Sequence, residues 1–82
     1  VIEPQIDKAY NHFISHLKDR HQDLTANEIR IAAYIRMNLS TKEIAPIMRI
    51  SIRGVEIHRY RLRKKLELNN EQNLNEYLIN IP

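Results

Sequence analysis

The chain has 82 residues with a net charge of +3, and it contains no cysteine, no tryptophan and only one glycine. This length suits one small domain, and the missing cysteines exclude disulfides and cysteine zinc sites. No stretch reaches the roughly 18 apolar residues of a membrane span, and no signal peptide is visible, which predicts a cytoplasmic location. Because the chain starts at Val1 without Met, we expect it to be a piece of a longer protein.

The first predicted helix runs from about residue 4 to residue 21. Its apolar residues recur at three- and four-residue steps, which is typical of one apolar stripe on a helix: Ile6, Ala9, Tyr10, Phe13 and Leu17. The stripe suits either a support helix packed on the domain or the end of a helical linker. His12 and His16 have the spacing of a two-histidine metal pair. Since no third ligand stands out, we expect no metal site and no cofactor.

Two capping boxes predict where the next two helices begin. Thr25 is followed by Glu28 and Ser40 by Glu43, so each pair satisfies two exposed backbone N–H groups. Helix 26–37 should bury one apolar face, and the short helix after Ser40 should bury another. The expected inward residues are Ile31, Ala32, Ile35 and Leu39 in the first, and Ile44, Ala45 and Met48 in the second. Pro46 should keep this second helix short, or kink or loosen it near Lys42.

A turn at residues 48–50 leads to Ser51, which should cap a helix at 52–66. The buried seam of that helix should comprise Val55, Leu62 and Leu66, together with either Ile52 or the aliphatic stem of Arg59. A last helix, at about 72–80, presents three further core-type residues, Leu74, Tyr77 and Leu78. The whole pattern predicts an all-α fold with no strand.

The basic residues are concentrated in one place. Segment 49–65 carries seven basic residues and one acidic residue, while the rest of the chain carries six basic and nine acidic residues. A solvated helix face is the simplest explanation of such a run. However, a capped short helix followed by a basic helix is also the layout of a helix-turn-helix, which places its second helix in the DNA major groove.

An ordered set of residues between Leu24 and Leu68 resembles the LuxR/FixJ type of bacterial DNA-binding domain, also called GerE-like. The matching residues are Leu24-Thr25, Glu28, Leu39-Ser40, Lys42-Glu43-Ile44-Ala45, Ile50-Ser51, Val55, His58, Leu62 and Lys65-Leu66. Segment 57–66, together with the first helix and the Asn73-Leu74 region, is further similar to regulators of Bacteroidetes type, in which the domain ends a long membrane-bound sensor. This similarity implies an upstream sensor or receiver module outside this chain. The resemblance implies a four-helix domain at residues 23–82, with residues 1–22 as an additional N-terminal helix. Departures from the family pattern are Asn38, Arg49, Gly54 and Arg61.

The resemblance also implies which residues meet DNA. By the family's docking, Glu56, Ile57 and Tyr60 are expected to contact bases. Arg61 and Arg53 are further base candidates because an arginine can fork onto guanine, although phosphate is its commoner partner. Glu56 suits a cytosine amino group, and Ile57 suits a thymine methyl group. Tyr60 has an alternative, which is to pack against the partner helix. Phosphate contacts are expected from Thr41, Lys42, Arg63, Lys64 and Lys65. His58 is expected to pack or to form a hydrogen bond.

These observations predict a DNA-binding transcriptional regulator domain and not an enzyme, with double-stranded DNA as its partner and no small-molecule substrate. A homodimer on two half-sites is expected, because a single module this small buries little surface on DNA. The dimer contact would be the last helix, through Leu74, Tyr77 and Leu78, or the first helix. The alternatives are a protein-interaction module and a sigma-factor-like promoter-binding domain.

Overall fold

The computed structural model describes residues 4–81, with side chains from residue 10 onward. Five helices cover most of this part of the chain: α1 Pro4–Arg20, α2 Ala26–Arg36, α3 Thr41–Met48, α4 Ile52–Lys65 and α5 Leu74–Ile79. No strand occurs among these residues, so the predicted all-α class is confirmed. The side chains of Ile6 and Ala9, two members of the predicted stripe on α1, lie outside the described part.

The predicted capping boxes form at the starts of α2 and α3. The Thr25 hydroxyl accepts from the Glu28 N–H at 3.2 Å, and the Glu28 carboxylate accepts from the Thr25 N–H at 2.8 Å. Ser40 and Glu43 make the same reciprocal pair at 3.1 and 2.8 Å. Each box satisfies two backbone donors that a helix start leaves free, which fixes the points where α2 and α3 begin.

Three helix ends share one left-handed turn without any glycine. The residues that follow α2, α3 and the end of α4 have positive φ angles: 65° at Asn38, 58° at Arg49 and 59° at Glu67. After each of them the next residue donates its N–H to a carbonyl five residues back, at 3.0 to 3.1 Å. This is the Schellman arrangement, which satisfies the last carbonyls of a helix. Asn tolerates the left-handed region well, whereas Arg and Glu adopt it at a cost.

Apolar side chains from all five helices form one buried cluster. Its members are Phe13, Leu17, Ile31, Ala32, Ala33, Ile35, Ile44, Ala45, Val55, Leu62, Leu66, Leu74, Leu78 and Ile81. The predicted inner faces of α2 and α3 are confirmed, with Leu39 and Met48 packed at the edge of the cluster. The buried seam of α4 comprises Val55 and Leu62, and Leu66 follows at the end of the helix. Of the two alternatives for its remaining member, Ile52 is 46% exposed, whereas Arg59 is half-buried and therefore fits the seam.

Pro46 lies inside α3, which is short, as predicted, at eight residues. Proline cannot donate to the Lys42 carbonyl. The helix nevertheless continues through Pro46 to Met48, where the left-handed Arg49 ends it. Because Pro46 is exposed, the Lys42 carbonyl that lacks its helical partner lies on a solvent-facing turn. Water can hydrogen-bond to such a carbonyl, which reduces the cost of the missing bond.

The last helix is shorter than the predicted 72–80. The Asn73 side chain caps it by accepting from the Glu76 N–H at 3.0 Å, so the helix begins at Leu74. Residues 69–72 instead form a turn closed by the Asn69 carboxamide, which accepts from the Glu71 and Gln72 N–H groups at 2.9 and 3.0 Å. Asparagine favours such local bonds over helix continuation.

Arg36 joins three helices at the base of the domain. Its guanidinium lies over the Phe13 ring of α1, with 4.8 Å from Cζ to the ring centroid. Its Nη1 donates to the carbonyls of Leu78 and Ile81 at 2.7 and 2.6 Å. A cation at the C-terminus of a helix satisfies orphan carbonyls and complements the helix dipole. Arg36 therefore links α1, through Phe13, to the carbonyls at the end of α5.

Candidate nucleic-acid interface

One side of α4 is buried in the core, so only the opposite side is available to contact a partner. Val55 and Leu62 are fully buried, and they lie seven residues apart on one face of the helix. The opposite face is exposed along its whole length. It presents Arg53, Glu56, Ile57, Tyr60, Arg61 and Lys64. All five residues predicted to contact bases lie in this exposed set.

Two bulky side chains stand out on the exposed face of α4. Ile57 is 41% exposed and Tyr60 is 60% exposed. An exposed isoleucine and tyrosine on a charged helix offer apolar surface for a thymine methyl group and a hydroxyl for either a donor or an acceptor contact. Tyr60 is therefore not taken up by packing against a neighbouring helix, which had been its alternative role.

Lys64 lies close to Tyr60 on the next turn of α4. Its Nζ is 5.4 Å from the centroid of the Tyr60 ring, within the range of a cation–π interaction. Both side chains remain exposed. The contact holds the ammonium group beside the ring without burying it, so the positive charge stays accessible to an anion.

The first turns of α3 and α4 differ in how many backbone donors they leave free. In α3 the Ser40 N–H is used by Glu43. In α4 the Ser51 hydroxyl accepts from the Gly54 N–H at 2.9 Å, but Gly54 has no side chain to return a bond to Ser51. The start of α4 is therefore only half a capping box, and it carries no acidic residue in its first turn. That leaves the positive end of the helix dipole uncompensated.

Lys65 has a structural role in the domain. Its Nζ donates to the Glu28 carboxylate at 2.8 Å and to the Asp23 carbonyl at 3.0 Å. Glu28 is only 4% exposed. Burial raises the pKa of the Glu28 carboxyl, but the hydrogen bonds from Lys65 and from the Thr25 N–H outweigh burial and hold that pKa below its ordinary value. The ammonium group of Lys65 thus already has two partners, unlike that of Lys64.

Arg63 is also engaged within the chain. Its Nη1 donates to the Gln72 carbonyl and its Nη2 to the Asn69 carbonyl, each at 2.8 Å. These bonds tie the loop between α4 and α5 to the last turns of α4. Since both acceptors are neutral, Arg63 keeps its positive charge uncompensated, and the prediction that it contacts phosphate stays open.

Arg59 contributes its aliphatic stem to the seam of α4, and its guanidinium has a specific partner. Nη2 of Arg59 donates to the Asn75 side-chain oxygen at 2.7 Å. Burial, followed by the positive charge of Arg63, lowers the pKa of Arg59 from its ordinary value. No local pattern predicts this pairing, because Asn75 lies on another helix whose position is set only by the fold.

The remaining predicted phosphate residues lie at the start of α3. Lys42 is exposed and Thr41 is half-buried. Their backbone N–H groups occupy the first two positions of the helix, where no intrahelical acceptor exists. Such a start can bind a phosphate through its N–H groups and its dipole.

The predicted dimer residues on α5 differ in their availability. Leu74 and Leu78 are buried in the core of the domain, so their side chains have no surface left for a second copy. Tyr77 is half-buried and its hydroxyl lies 3.2 Å from the His21 Nε2. The exposed apolar residue of α5 is Ile79, at 46%. Two of the three predicted dimer residues, Leu74 and Leu78, are therefore unavailable to a second copy, whereas Tyr77 keeps part of its surface, and the dimer contact stays a prediction.

His58 is half-buried, and its Nδ1 is buried without a hydrogen-bond partner among the residues that the structure describes. His12 is exposed and His16 is half-buried on α1. Within residues 10–81 no cluster of three or more potential metal ligands occurs. None of the described helices is both long and apolar enough to cross a membrane.

Comparison with known families gives one match. The model of the GerE family, described as bacterial regulatory proteins, luxR family, matches residues 22–78. No curated protein and no solved structure matches the chain. The matched range begins just after α1, includes α2, α3 and α4, and ends within α5.

Proposed function

Because the chain belongs to the luxR family of bacterial regulatory proteins, a family of helix-turn-helix DNA-binding regulators and not of enzymes, we propose that it binds specific duplex DNA through α4 in the major groove. The observation that carries this proposal is the division of α4 into a buried seam and an exposed face with three cations. Arg53, Arg61 and Lys64 lie on that face, and Arg63 lies at its edge.

The proposed division of labour follows from the chemistry of the exposed face. Glu56 accepts from a cytosine amino group, and Ile57 packs on a thymine methyl group. Tyr60 reads a neighbouring base edge. Arg53 and Arg61 fork onto guanine or contact phosphate. Lys64, together with Thr41 and Lys42 at the start of α3, holds backbone phosphates on the two sides of the groove.

Pairing of two domains on adjacent half-sites is part of the proposal. A single module of this size buries too little DNA surface for high affinity, and helix-turn-helix dimers place their reading helices about one DNA turn apart. A chromosomal target also locates the domain in the cytoplasm. Attachment to an upstream sensor or receiver module stays a prediction.

The first experiment is a titration of labelled duplex DNA with the 82-residue chain at several salt concentrations. We expect log K to fall linearly with log salt, with a slope near −0.9 for each phosphate neutralised. The Arg61→Ala and Lys64→Ala variants should bind more weakly while keeping the wild-type circular dichroism spectrum. Lys18→Ala, an exposed cation on α1, serves as the control and should bind like the wild type.

Failure of the wild-type chain to bind any duplex at low salt would contradict the proposal and favour a protein-interaction module. If binding is found, selection from a random DNA pool should recover a preferred half-site. Two half-sites at a fixed separation support the dimer, whereas a single site contradicts it. Sedimentation of the complex gives an independent count of protein copies.

A further inference from the structure

A polar cleft lies between the C-terminal half of α4 and the loop that leads to α5, and we call it the α4–α5 cleft. It measures about 330 Å³ and is lined by Arg59, Arg63, Asn70, Glu71, Gln72, Asn73, Leu74 and Asn75. Two guanidinium groups on successive turns of one helix thus meet a set of neutral amides. This cleft is not part of the exposed face of α4.

The two guanidinium groups of the cleft have no carboxylate partner. Arg59 is bonded to the neutral amide of Asn75, and Arg63 to the carbonyls of Asn69 and Gln72. Within residues 10–81 the ion pair of the domain is Lys65 with Glu28. Glu71 lines the cleft but comes within ion-pair distance of neither arginine. Two positive charges therefore line the cleft, and neither forms an ion pair with a carboxylate among the described residues.

Neutral acceptors hold the arginines in place without consuming their charge. A guanidinium carries five N–H donors in a planar fork. The bonds described above use one nitrogen of Arg59 and two nitrogens of Arg63 as donors. Donors remain on both groups for a further acceptor. A tetrahedral anion with several oxygens, above all a phosphate, suits such a pair because it accepts from both forks.

The position of the cleft points to the source of that phosphate. A second cleft adjoins it and is lined by Tyr60, Arg63, Lys64, Leu68 and Asn70. Arg63 and Asn70 line both clefts. The α4–α5 cleft is therefore continuous with the side of α4 that carries Tyr60 and Lys64. When a reading helix occupies the major groove, its flanks face the sugar–phosphate strands that border the groove.

We propose that the α4–α5 cleft binds one backbone phosphate of the bound duplex between Arg59 and Arg63. The hydrogen bonds to Asn75 and to the loop before α5 hold the two side chains in position for this contact. This inference rests on the DNA-binding function proposed above. The cleft then adds a contact that depends on α5, although α5 itself does not enter the groove. It fixes the rotation of α4 in the groove and carries no sequence information.

The test compares three double variants of the 82-residue chain in the salt titration. Arg59→Gln with Arg63→Gln removes both charges, and Arg59→Lys with Arg63→Lys preserves them. Lys18→Gln with Arg30→Gln removes two exposed cations elsewhere and matches the loss of net charge. The slope of log K against log salt should become shallower by about 0.9 for the first variant. The other two variants should keep the wild-type slope.

An unchanged slope in a folded Arg59→Gln, Arg63→Gln variant overturns the inference while leaving the proposed function intact, provided that the wild type binds. No binding by the wild type overturns both. If the double variant does not fold, the Nε–Hε nuclear magnetic resonance signals of Arg59 and Arg63 in the wild type decide the question. They should shift when a duplex of about two turns is added. Shifts seen only with inorganic phosphate, at equal ionic strength, contradict the duplex as the source.

Discussion

Lys64 and Lys65 are neighbours in the sequence, but they belong to two different regions of the molecule. Lys64 lies on the exposed face of α4 beside Tyr60, whereas Lys65 is paired with a buried carboxylate of α2. Arg61 and Arg63 differ in the same manner, since only Arg63 holds a loop through hydrogen bonds. A run of basic residues therefore contains cations for a partner and cations for the fold, and the sequence does not separate them.

The largest effect should come from separating the two lysines by mutation. Lys65→Met leaves the Glu28 carboxylate buried without its charged partner, and we expect the free energy of unfolding to fall by about 2 kcal/mol. Lys64→Met removes no described hydrogen bond, so its effect on stability should be about 0.5 kcal/mol or less. Urea unfolding followed by circular dichroism measures both values.

For DNA affinity we expect the opposite order, with the larger loss in the Lys64→Met variant. At a temperature where both variants are folded, Lys64→Met should weaken duplex binding and make the salt slope shallower by about 0.9. Lys65→Met should retain the wild-type slope. Equal losses of stability in the two variants, or equal losses of affinity, would remove the distinction between the exposed face and the anchored flank.

The next effect concerns the one acidic side chain on the exposed face. Glu56→Gln converts an acceptor-only group into one that also donates. We expect the preference at a single base pair of the selected site to relax or change, corresponding to about 1–2 kcal/mol of discrimination. Selection from a random pool with both proteins checks this. Glu67→Gln, beyond the end of α4, is the matched charge change and should leave the selected site unaltered.

A smaller effect is expected at the left-handed end of α3. Arg49→Gly removes the steric cost of a positive φ angle but adds freedom to the unfolded chain. The net gain in the free energy of unfolding should be about 0.5–1 kcal/mol. Asn38→Gly should gain less, since asparagine already tolerates this conformation. A destabilised Arg49→Gly variant would mean that the Arg49 side chain makes a contribution that outweighs the backbone strain.

The smallest effect on the free energy of unfolding is expected only at acidic pH. The pKa of Glu28 is lower in the folded state than its ordinary value, so the unfolded chain binds the proton first as the pH falls. The stabilisation from this group is present above about pH 4.3 and is lost as the pH falls through the folded pKa. Denaturant unfolding between neutral and acid pH should show a weaker pH dependence for Glu28→Gln than for the wild type. Glu71→Gln is the exposed control.

Local sequence signals predicted much of the fold. The capping boxes at Thr25 and Ser40 and the seam of Val55 and Leu62 are short-range patterns, and each one appears in the structure. The sequence predicts a longer last helix, at 72–80, and misses the N-cap at Asn73. The helix has only six residues, which is too short for apolar periodicity to define where it begins. The bonds of Arg36 to the end of α5 link residues more than 40 positions apart, and no local pattern encodes them.

The candidate site was predictable in part for the same reason. Periodicity on α4 separates exposed residues from buried ones, so the exposure of Glu56, Ile57 and Tyr60 follows from the sequence. It does not reveal which flanking cations meet acceptors on other helices. After folding, Arg59 and Lys65 bond to side chains on other helices, and Arg63 bonds to carbonyls of the loop between α4 and α5. The burial of Leu74 and Leu78 likewise depends on how α5 packs onto α2.

Arg36 also has a consequence for the cooperativity of the domain. Its guanidinium contacts a ring from α1 and carbonyls from the end of α5, so it joins the two ends of the chain. Segments that share such a contact open together in local unfolding. The amides of α1 around Leu17 and those of α5 around Leu78 should exchange with solvent at similar free energies of opening. Replacing Arg36 by methionine should let the two ends of the chain exchange independently.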